Sequence, residues 1–237
     1  MPVALITGAS RGFGRATALA LVARGWDLVV DGRDNAALER TVAELRSRGG
    51  PGTQVLAVPG DVADPAHREV LARVAGTIGA GSTVDLLVNN ASLLGPMPPI
   101  AEYPLHRLAS VLAVNVLAPV GLIQLLLPSL AEVDGTIVNV SSDAAVEAYP
   151  HWGGYGASKA ALDQVSAVLA VERADVRVYA FDPGDMRTAM HQEAFPGEDI
   201  SDRPEPETVV PALLRLVTER PPSGRYRASE LLAGVGA

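Results

Sequence analysis

Residues 7–14 read TGASRGFG and join a short β-branched run, Val3–Thr7, to an amphipathic stretch near 12–24. Gly8 permits a tight turn off a strand, while Gly12 and Gly14 let backbone come close to a ligand and to the sheet. The helix start that follows presents free N–H groups, and its dipole favours an anion there. The spacing is G-x-x-x-G-x-G rather than G-x-G-x-x-G. Three glycines also suit a purely structural bend, but their place between a first strand and a first helix predicts a dinucleotide site.

The same alternation continues outward from this turn. Strands are predicted at Val3–Thr7, Leu28–Asp31, Gln54–Val58, Val84–Val88, Thr136–Val140 and Val176–Phe181, with helical stretches near 12–24, 35–48, 65–78, 104–130 and 155–174. Runs such as LLV and TIVNV are apolar on both faces, as strands covered by helices on both sides should be. The order implies a parallel, doubly wound sheet in a single three-layer α/β/α domain spanning residues 1–237. Only 185–206 breaks the pattern. It is rich in Pro and acids, and about 185–204 reads as a lid over a site.

Composition narrows the chemistry. A formal charge of −8 across 237 residues argues against a nucleic-acid or anionic-membrane partner. Without cysteine there is no thiolate nucleophile or Cys-zinc site, and His67, His106, His151 and His191 lack metal-ligand spacing, so no metal is expected. Residues 108–131 carry no charge and could span a bilayer by length, yet Asn115, Pro119, Gln124 and Pro128 interrupt them. A helix buried against the protein and a second subunit explains the run better. The chain enters VALIT after two residues with no basic leader, and a soluble, cytoplasmic protein is expected.

TGASRGFG, DVAD at 61–64, NNAS at 89–92, VNV at 114–116, VSS at 140–142, YGASK at 155–159 and DPGDMRT at 182–188 occur in this order. Together they resemble the short-chain dehydrogenase/reductase family over residues 7 to about 190. The resemblance implies a Rossmann-like fold and an oxidoreductase that moves hydride between a nicotinamide and a carbonyl or secondary alcohol. The alternative is a dinucleotide-binding sensor or scaffold that keeps the fold without turnover. A full Asn115, Ser142, Tyr155 and Lys159 set argues against it.

The tip of the second strand, LVVDGRD, bears on the cofactor. An acid there binds a ribose hydroxyl, whereas an Arg accommodates a 2′-phosphate. Asp31 and Arg33 point opposite ways. In the resemblance, Gly32 falls where the acid of NAD-dependent members sits, and Arg33 and Arg11 match basic positions of NADP-dependent ones, so NADP(H) is favoured over NAD(H). Gly8, Ser10, Gly12, Phe13 and Gly14 are expected in the phosphate turn, and Asp61 and Val62 resemble adenine contacts. Asn89, Ala91 and their neighbours look like the supporting turn after strand four, with Ser92 in place of the usual Gly. Pro183, Gly184, Met186 and Thr188 resemble the segment that cradles the nicotinamide.

Lys159 is the sole lysine beside eighteen arginines. It stands i, i+4 from Tyr155, so the two share a helix face. A free phenol has a pKa near ~10 and is a poor acid–base catalyst at pH 7. A nearby ammonium, with an oxidised nicotinamide, is expected to lower it. With Tyr155 and Lys159 both expected at the cofactor, the compact ammonium can also hydrogen-bond the nicotinamide ribose hydroxyls, shift its pKa and relay the proton, which a guanidinium does badly. The bland reading is a Tyr–Lys pair on an amphipathic helix. Ser142, thirteen residues before Tyr155, has the family separation and is preferred to Ser141. Asn115 completes the resembling tetrad, helping to hold a water in the relay. In isolation it would read as a satisfied polar residue in an apolar helix.

Leu93, Leu94, Tyr149, Trp152, Met186 and Met190 offer an apolar and aromatic lining for a small carbonyl or alcohol substrate, with Asp143, Glu147 and His191 as polar additions. Tyr149 and Trp152 equally suit simple packing of their loop. The 108–131 run and 161–172, ALDQVSAVLAVE, are apolar around more of their circumference than one sheet covers. In the resembling family these helices pair across a two-fold axis, so a homodimer is expected and a homotetramer is the further option. The shortened tail after 205 counts against the tetramer.

Overall fold

The structure, a computed structural model, describes residues 1–79, 81 and 83–233. Its centre is one parallel sheet of seven strands in the order β3-β2-β1-β4-β5-β6-β7. The strands are β1 (Val3–Ile6), β2 (Asp27–Gly32), β3 (Val55–Pro59), β4 (Leu86–Asn89), β5 (Thr136–Val140), β6 (Arg177–Asp182) and β7 (Gly224–Arg227). Every residue of β1, β2, β4 and β5 is buried, which is why they read as continuous rather than alternating apolar runs. The doubly wound, Rossmann-like expectation holds.

Strand pleat divides the core in two. Ala4, Ile6, Leu28, Val30, Val88, Val138 and Phe181 face α1 (Gly12–Val22), α2 (Asn35–Arg48) and α8 (Pro206–Glu219). Val3, Leu5, Val29, Leu87, Ile137 and Val178 face α3 (Pro65–Ala75), α5 (Ala118–Glu132) and α6 (Gly153–Glu172). The two helices entered from β2 and β3 begin on acidic caps: Asp34 accepts from Ala37 N–H at 3.0 Å and Asp64 from Ala66 N–H at 2.9 Å. By contrast α1 starts at Arg11 with no side-chain cap, so its first N–H groups stay available.

Two expectations need correction. The stretch read as one helix at 104–130 is α4 (Leu105–Leu112), a π-helical turn at Ala113–Leu117, and α5. Hydropathy periodicity cannot show such a turn, because one inserted residue barely disturbs an almost uniformly apolar sequence. The six predicted strands are seven. Gly-Arg-Tyr-Arg at β7 lies half-buried on the sheet edge and carries no apolar alternation. The tail after 205 thus supplies α8, β7 and a final helix, α9 (Ala228–Ala233).

The apolar 108–131 run lies within Leu105–Glu132, which is long and apolar enough to cross a membrane, at mean hydropathy 2.1. Here Leu122, Ile123, Leu126 and Leu130 of that segment are buried in the second core cluster. The strand order changes direction between β1 and β4, and the loops leaving their carboxyl ends open a crevice there. In open α/β sheets that crevice is where ligands bind.

Candidate active site

The glycine turn leaves β1 at the crevice. Gly8 has a φ of +66°, and a Cβ there would lie 2.9 Å from Ala91 Cα, so only Gly fits. A Cβ on Gly14 would lie 2.5 Å from the Gly8 carbonyl and 2.4 Å from Asn90 Nδ2. Thr7 Oγ1 accepts from the N–H groups of Asn90 and Ala91, both at 3.0 Å, and fastens the exit of β4 beside the turn. The side chain of Asn90 donates to the carbonyls of Thr7 at 2.9 Å and Gly8 at 3.1 Å.

The Asn89 side chain, by contrast, turns away from the glycine turn. Its Nδ2 donates inward to Asn139 Oδ1 at 2.8 Å, and the turn is supported by its neighbour Asn90. Strand alternation reverses adjacent side chains, a distinction invisible in an Asn-Asn pair. Phe13 also faces inward, stacked on Phe181 with ring centroids 5.8 Å apart, and only its backbone borders the turn.

Fit to a dinucleotide rests on this geometry. Besides the uncapped start of α1, Thr188 Cγ2 would sit 3.6 Å from a Cβ on Gly12, so the β6 exit loop meets the turn. Ser10 lies against Gly32, whose added Cβ would be 3.0 Å from Ser10 Cβ. Asp31 is buried and engaged: its Oδ1 accepts from Gly8 N–H at 2.6 Å and its Oδ2 lies 3.2 Å from His67 Nε2. Burial raises its pKa, against the opposing hydrogen bonds of His67 and Gly8. Arg11 and Arg33 are exposed, and Gly32 offers no carboxylate. Val62, Asn89 and Ala91 line one narrow crevice with Thr7. Asp61 is exposed and closes a turn by accepting from Ala63 N–H at 2.9 Å.

Across the crevice, α6 carries Tyr155 and Lys159, both buried. Lys159 Nζ stands 5.5 Å from the centre of the Tyr155 ring and donates to the Val140 carbonyl at 2.7 Å. Burial pushes the Lys159 pKa down to about 8, with Asp163 pulling it back up. The Tyr155 phenol departs from expectation, being pushed up to about 12. Burial is the main cause, while Ser92 and Ser142 lower it and Asp143 and Asp182 raise it. Desolvation of a phenolate outweighs what the neighbouring hydroxyls return.

Ser92, where the family usually has Gly, is thus a hydroxyl beside the phenol. Its own Oγ donates to Asn115 Oδ1 at 3.3 Å. Asn115 sits in the π turn, fully buried. Its Oδ1 also accepts from Leu93 N–H at 2.8 Å, and its Nδ2 donates to the Leu93 carbonyl and to Ser158 Oγ, both at 2.9 Å. The amide pins the β4 exit loop to α6, so both of its polar atoms are taken by protein. Ser142 Oγ donates to Asp143 Oδ1 at 2.8 Å, and Ser141 is buried.

Leu94, Trp152 and Met190 cluster with Tyr155, joined by Met97, Ala144 and Ala194. Two members of the expected lining, both partly exposed, also border the core. Leu93 packs against the second core cluster and Met186 against the first. Trp152 meets Tyr155 edge-on at 5.8 Å and Phe195, a residue the sequence did not single out, at 5.9 Å. Phe195 follows α7 (Ala189–Ala194), whose start is capped by Thr188 accepting from His191 N–H at 3.2 Å. The Tyr149 hydroxyl lies 2.9 Å from Asp143 Oδ2 and 2.8 Å from Glu147 Oε2. Pro183 is half-buried, while Gly184 is exposed at a φ of +71°.

Residues 2–199 match the profile of the short chain dehydrogenase family. The chain belongs to the short-chain dehydrogenase family. The uncharacterized oxidoreductase YciK of Escherichia coli is 33% identical over 218 residues, 91% of this chain and 85% of that one. Among solved structures, a short-chain dehydrogenase of Shigella flexneri complexed with NADP superposes with a TM-score of 0.89 at 30% identity, covering 96% of this chain and 97% of that one. One from Escherichia coli CFT073 complexed with NADPH gives 0.87 at 31% identity, covering 96% of each. This family member is accordingly an oxidoreductase.

Proposed function

We propose that this short-chain dehydrogenase is an NADP(H)-dependent carbonyl reductase or secondary alcohol dehydrogenase, with Tyr155 exchanging the proton and Ser142 holding the substrate oxygen. The observation that carries this is the buried Tyr155 phenol, flanked by the Ser92 and Ser142 hydroxyls, with the sole lysine 5.5 Å from its ring. Gly8, Ser10, Gly12 and Gly14 would hold the diphosphate, Arg11 and Arg33 the 2′-phosphate, and Asp61, Val62 and Ala91 the adenosine side. Pro183, Gly184, Met186 and Thr188 would border the nicotinamide. The NADP and NADPH carried by the Shigella and Escherichia structures support that preference. When bound, the dinucleotide would supply or accept the hydride.

The protein's own part is proton control. A phenol pushed up to about 12 stays protonated at pH 7, the state a reduction needs in its donor. Tyr155 Oη gives its proton to the developing alkoxide, and the Lys159 ammonium stabilises the tyrosinate left behind. Ser142 Oγ turns from Asp143 to the substrate oxygen. Because the Asn115 amide is fully engaged, that residue serves the relay by shaping the π turn, and a relay water would meet backbone there. Leu94, Trp152 and Met190 favour an apolar carbonyl compound, with 185–204 acting as the lid of a single catalytic domain.

We further place the protein in the cytoplasm as a homodimer. Leu117, Leu125, Val168 and Val171 are exposed on the two helices expected to pair, at 60%, 43%, 43% and 86%. NADPH oxidation against aldehydes, ketones and quinones tests the reading. Turnover on at least one panel member is expected, and tight NADPH binding with none would overturn it.

A further inference from the structure

Arg225 lies on edge strand β7, outside every motif that marks the site in the sequence, yet its side chain reaches the site from below. Its Nε is 2.9 Å from Asp163 Oδ2 and its Nη2 is 2.9 Å from Asp182 Oδ2. The same Nη2 donates to the Ser142 carbonyl at 3.0 Å. Each partner holds a different part of the site. Ser142 presents the hydroxyl assigned to the substrate oxygen. Asp163 stands one helical turn beyond Lys159 on α6, and its charge acts on that amine. Asp182 Oδ1 accepts from Gly184 N–H at 3.0 Å and sets the turn that enters the nicotinamide segment.

We propose that Arg225 is a positioning residue of the reaction site, one guanidinium tying the Ser142 backbone, the acid behind Lys159 and the anchor of the 183–184 turn into a fixed arrangement. The proposal rests on the reaction read above. It requires an Arg, because Nε and Nη2 lie along one edge of a planar fork and meet two carboxylates at once. An ammonium offers no such edge. Asp163 and Asp182 are largely buried, with side chains 15% and 4% exposed, so truncating Arg225 would leave two like charges under the site. Arg227 Nε, 3.8 Å from Asp182 Oδ2, would be the remaining cation beside Asp182, and Lys159 the one facing Asp163. Asp143 and Asp182 are the acids that act on Tyr155, so the phenol would also feel the loss.

The chain's single lysine provides a readout independent of turnover. With ¹³Cε-lysine labelling, Lys159 gives one side-chain resonance whose pH titration can be followed in the full-length protein. In Arg225→Met the Lys159 midpoint should move upward, because Asp163 loses its partner and acts on the amine alone. On a carbonyl the wild type reduces, kcat should fall at least ~10-fold, the loss expected for charge-assisted hydrogen bonds. Arg225→Lys should keep the charge and still fail to restore kcat. Should Arg225→Met not fold, Asp163→Asn replaces it. There the midpoint should move downward, with kcat again lowered. A folded Arg225→Met with an unmoved midpoint and kcat within about twofold of wild type overturns the proposal, as does full rescue by Lys or an unmoved Asp163→Asn. A wild type without turnover would defeat the reaction assignment instead, while the midpoint would still report on the Arg225 contacts.

Discussion

Replacing Arg33 by Ala separates the two cofactors. Asp31, one position before the tip of β2, is committed to Gly8 N–H and His67, and Gly32 supplies no acid for a ribose hydroxyl. On the proposed reading, the exposed Arg33 and Arg11 would together recognise a 2′-phosphate. A charge-assisted hydrogen bond contributes ~1.5–3 kcal/mol, so Arg33→Ala should weaken NADPH roughly 10- to 150-fold. NADH, which lacks that phosphate, should change less than about twofold. If both arginines address one phosphate as proposed, the Arg11→Ala/Arg33→Ala double variant should lose other than the sum of the single losses. Its NADPH affinity should also depend less on salt, since exposed charges are screened within ~8 Å at physiological ionic strength. Fluorescence titration of each cofactor against each variant measures this. Equal losses for NADPH and NADH would refute the phosphate clamp and return the ribose to Asp31.

Two further outcomes follow from burial and exposure. With the Lys159 pKa pushed down to about 8, its ammonium should be mostly charged at pH 7 and mostly neutral at pH 9, so carbonyl reduction should decline across that interval. The sign for stability is opposite: between about 8 and the ordinary lysine value of 10.5 the unfolded chain binds the proton and the folded chain does not, so this group's contribution rises with pH. The pH–rate profile and thermal melts between pH 7 and 10 read the two effects, and a rate flat through pH 10 would remove the ammonium from the reaction. Val168→Arg should put an unpaired charge into the proposed subunit contact and disperse the assembly. Light scattering that finds a wild-type monomer at micromolar concentration would defeat the dimer.

Where the sequence was legible, a physical rule tied residue type to position. Glycines that tolerate no Cβ marked the turn, uniformly apolar runs marked strands buried on both faces, and the i, i+4 Tyr–Lys spacing brought two side chains to one helix face. Legibility stopped where neighbours decide direction. Asn89 and Asn90 are chemically identical, and only the pleat turns one to Asn139 and the other to the glycine turn. Leu93 and Leu94 are likewise identical in type, yet one packs against the second core cluster and the other beside Tyr155. The π turn around Asn115 hides in an apolar run, since the partners that Asn115 meets there, Leu93 and Ser158, are remote in sequence. Arg225 is more remote still, 83 residues from Ser142, and its polar strand has no pattern to announce it. Even the direction of the Tyr155 shift depended on burial, which spacing does not report.

The central claim is that Tyr155 passes the proton. Tyr155→Phe removes the hydroxyl and keeps the ring against Trp152, 5.8 Å away, so folding and NADPH affinity should be retained. Stopped-flow measurement of NADPH oxidation on a carbonyl the wild type reduces should then show a rate at least ~10²-fold lower. A rate near that of the wild type would contradict the assignment of Tyr155 as the acid.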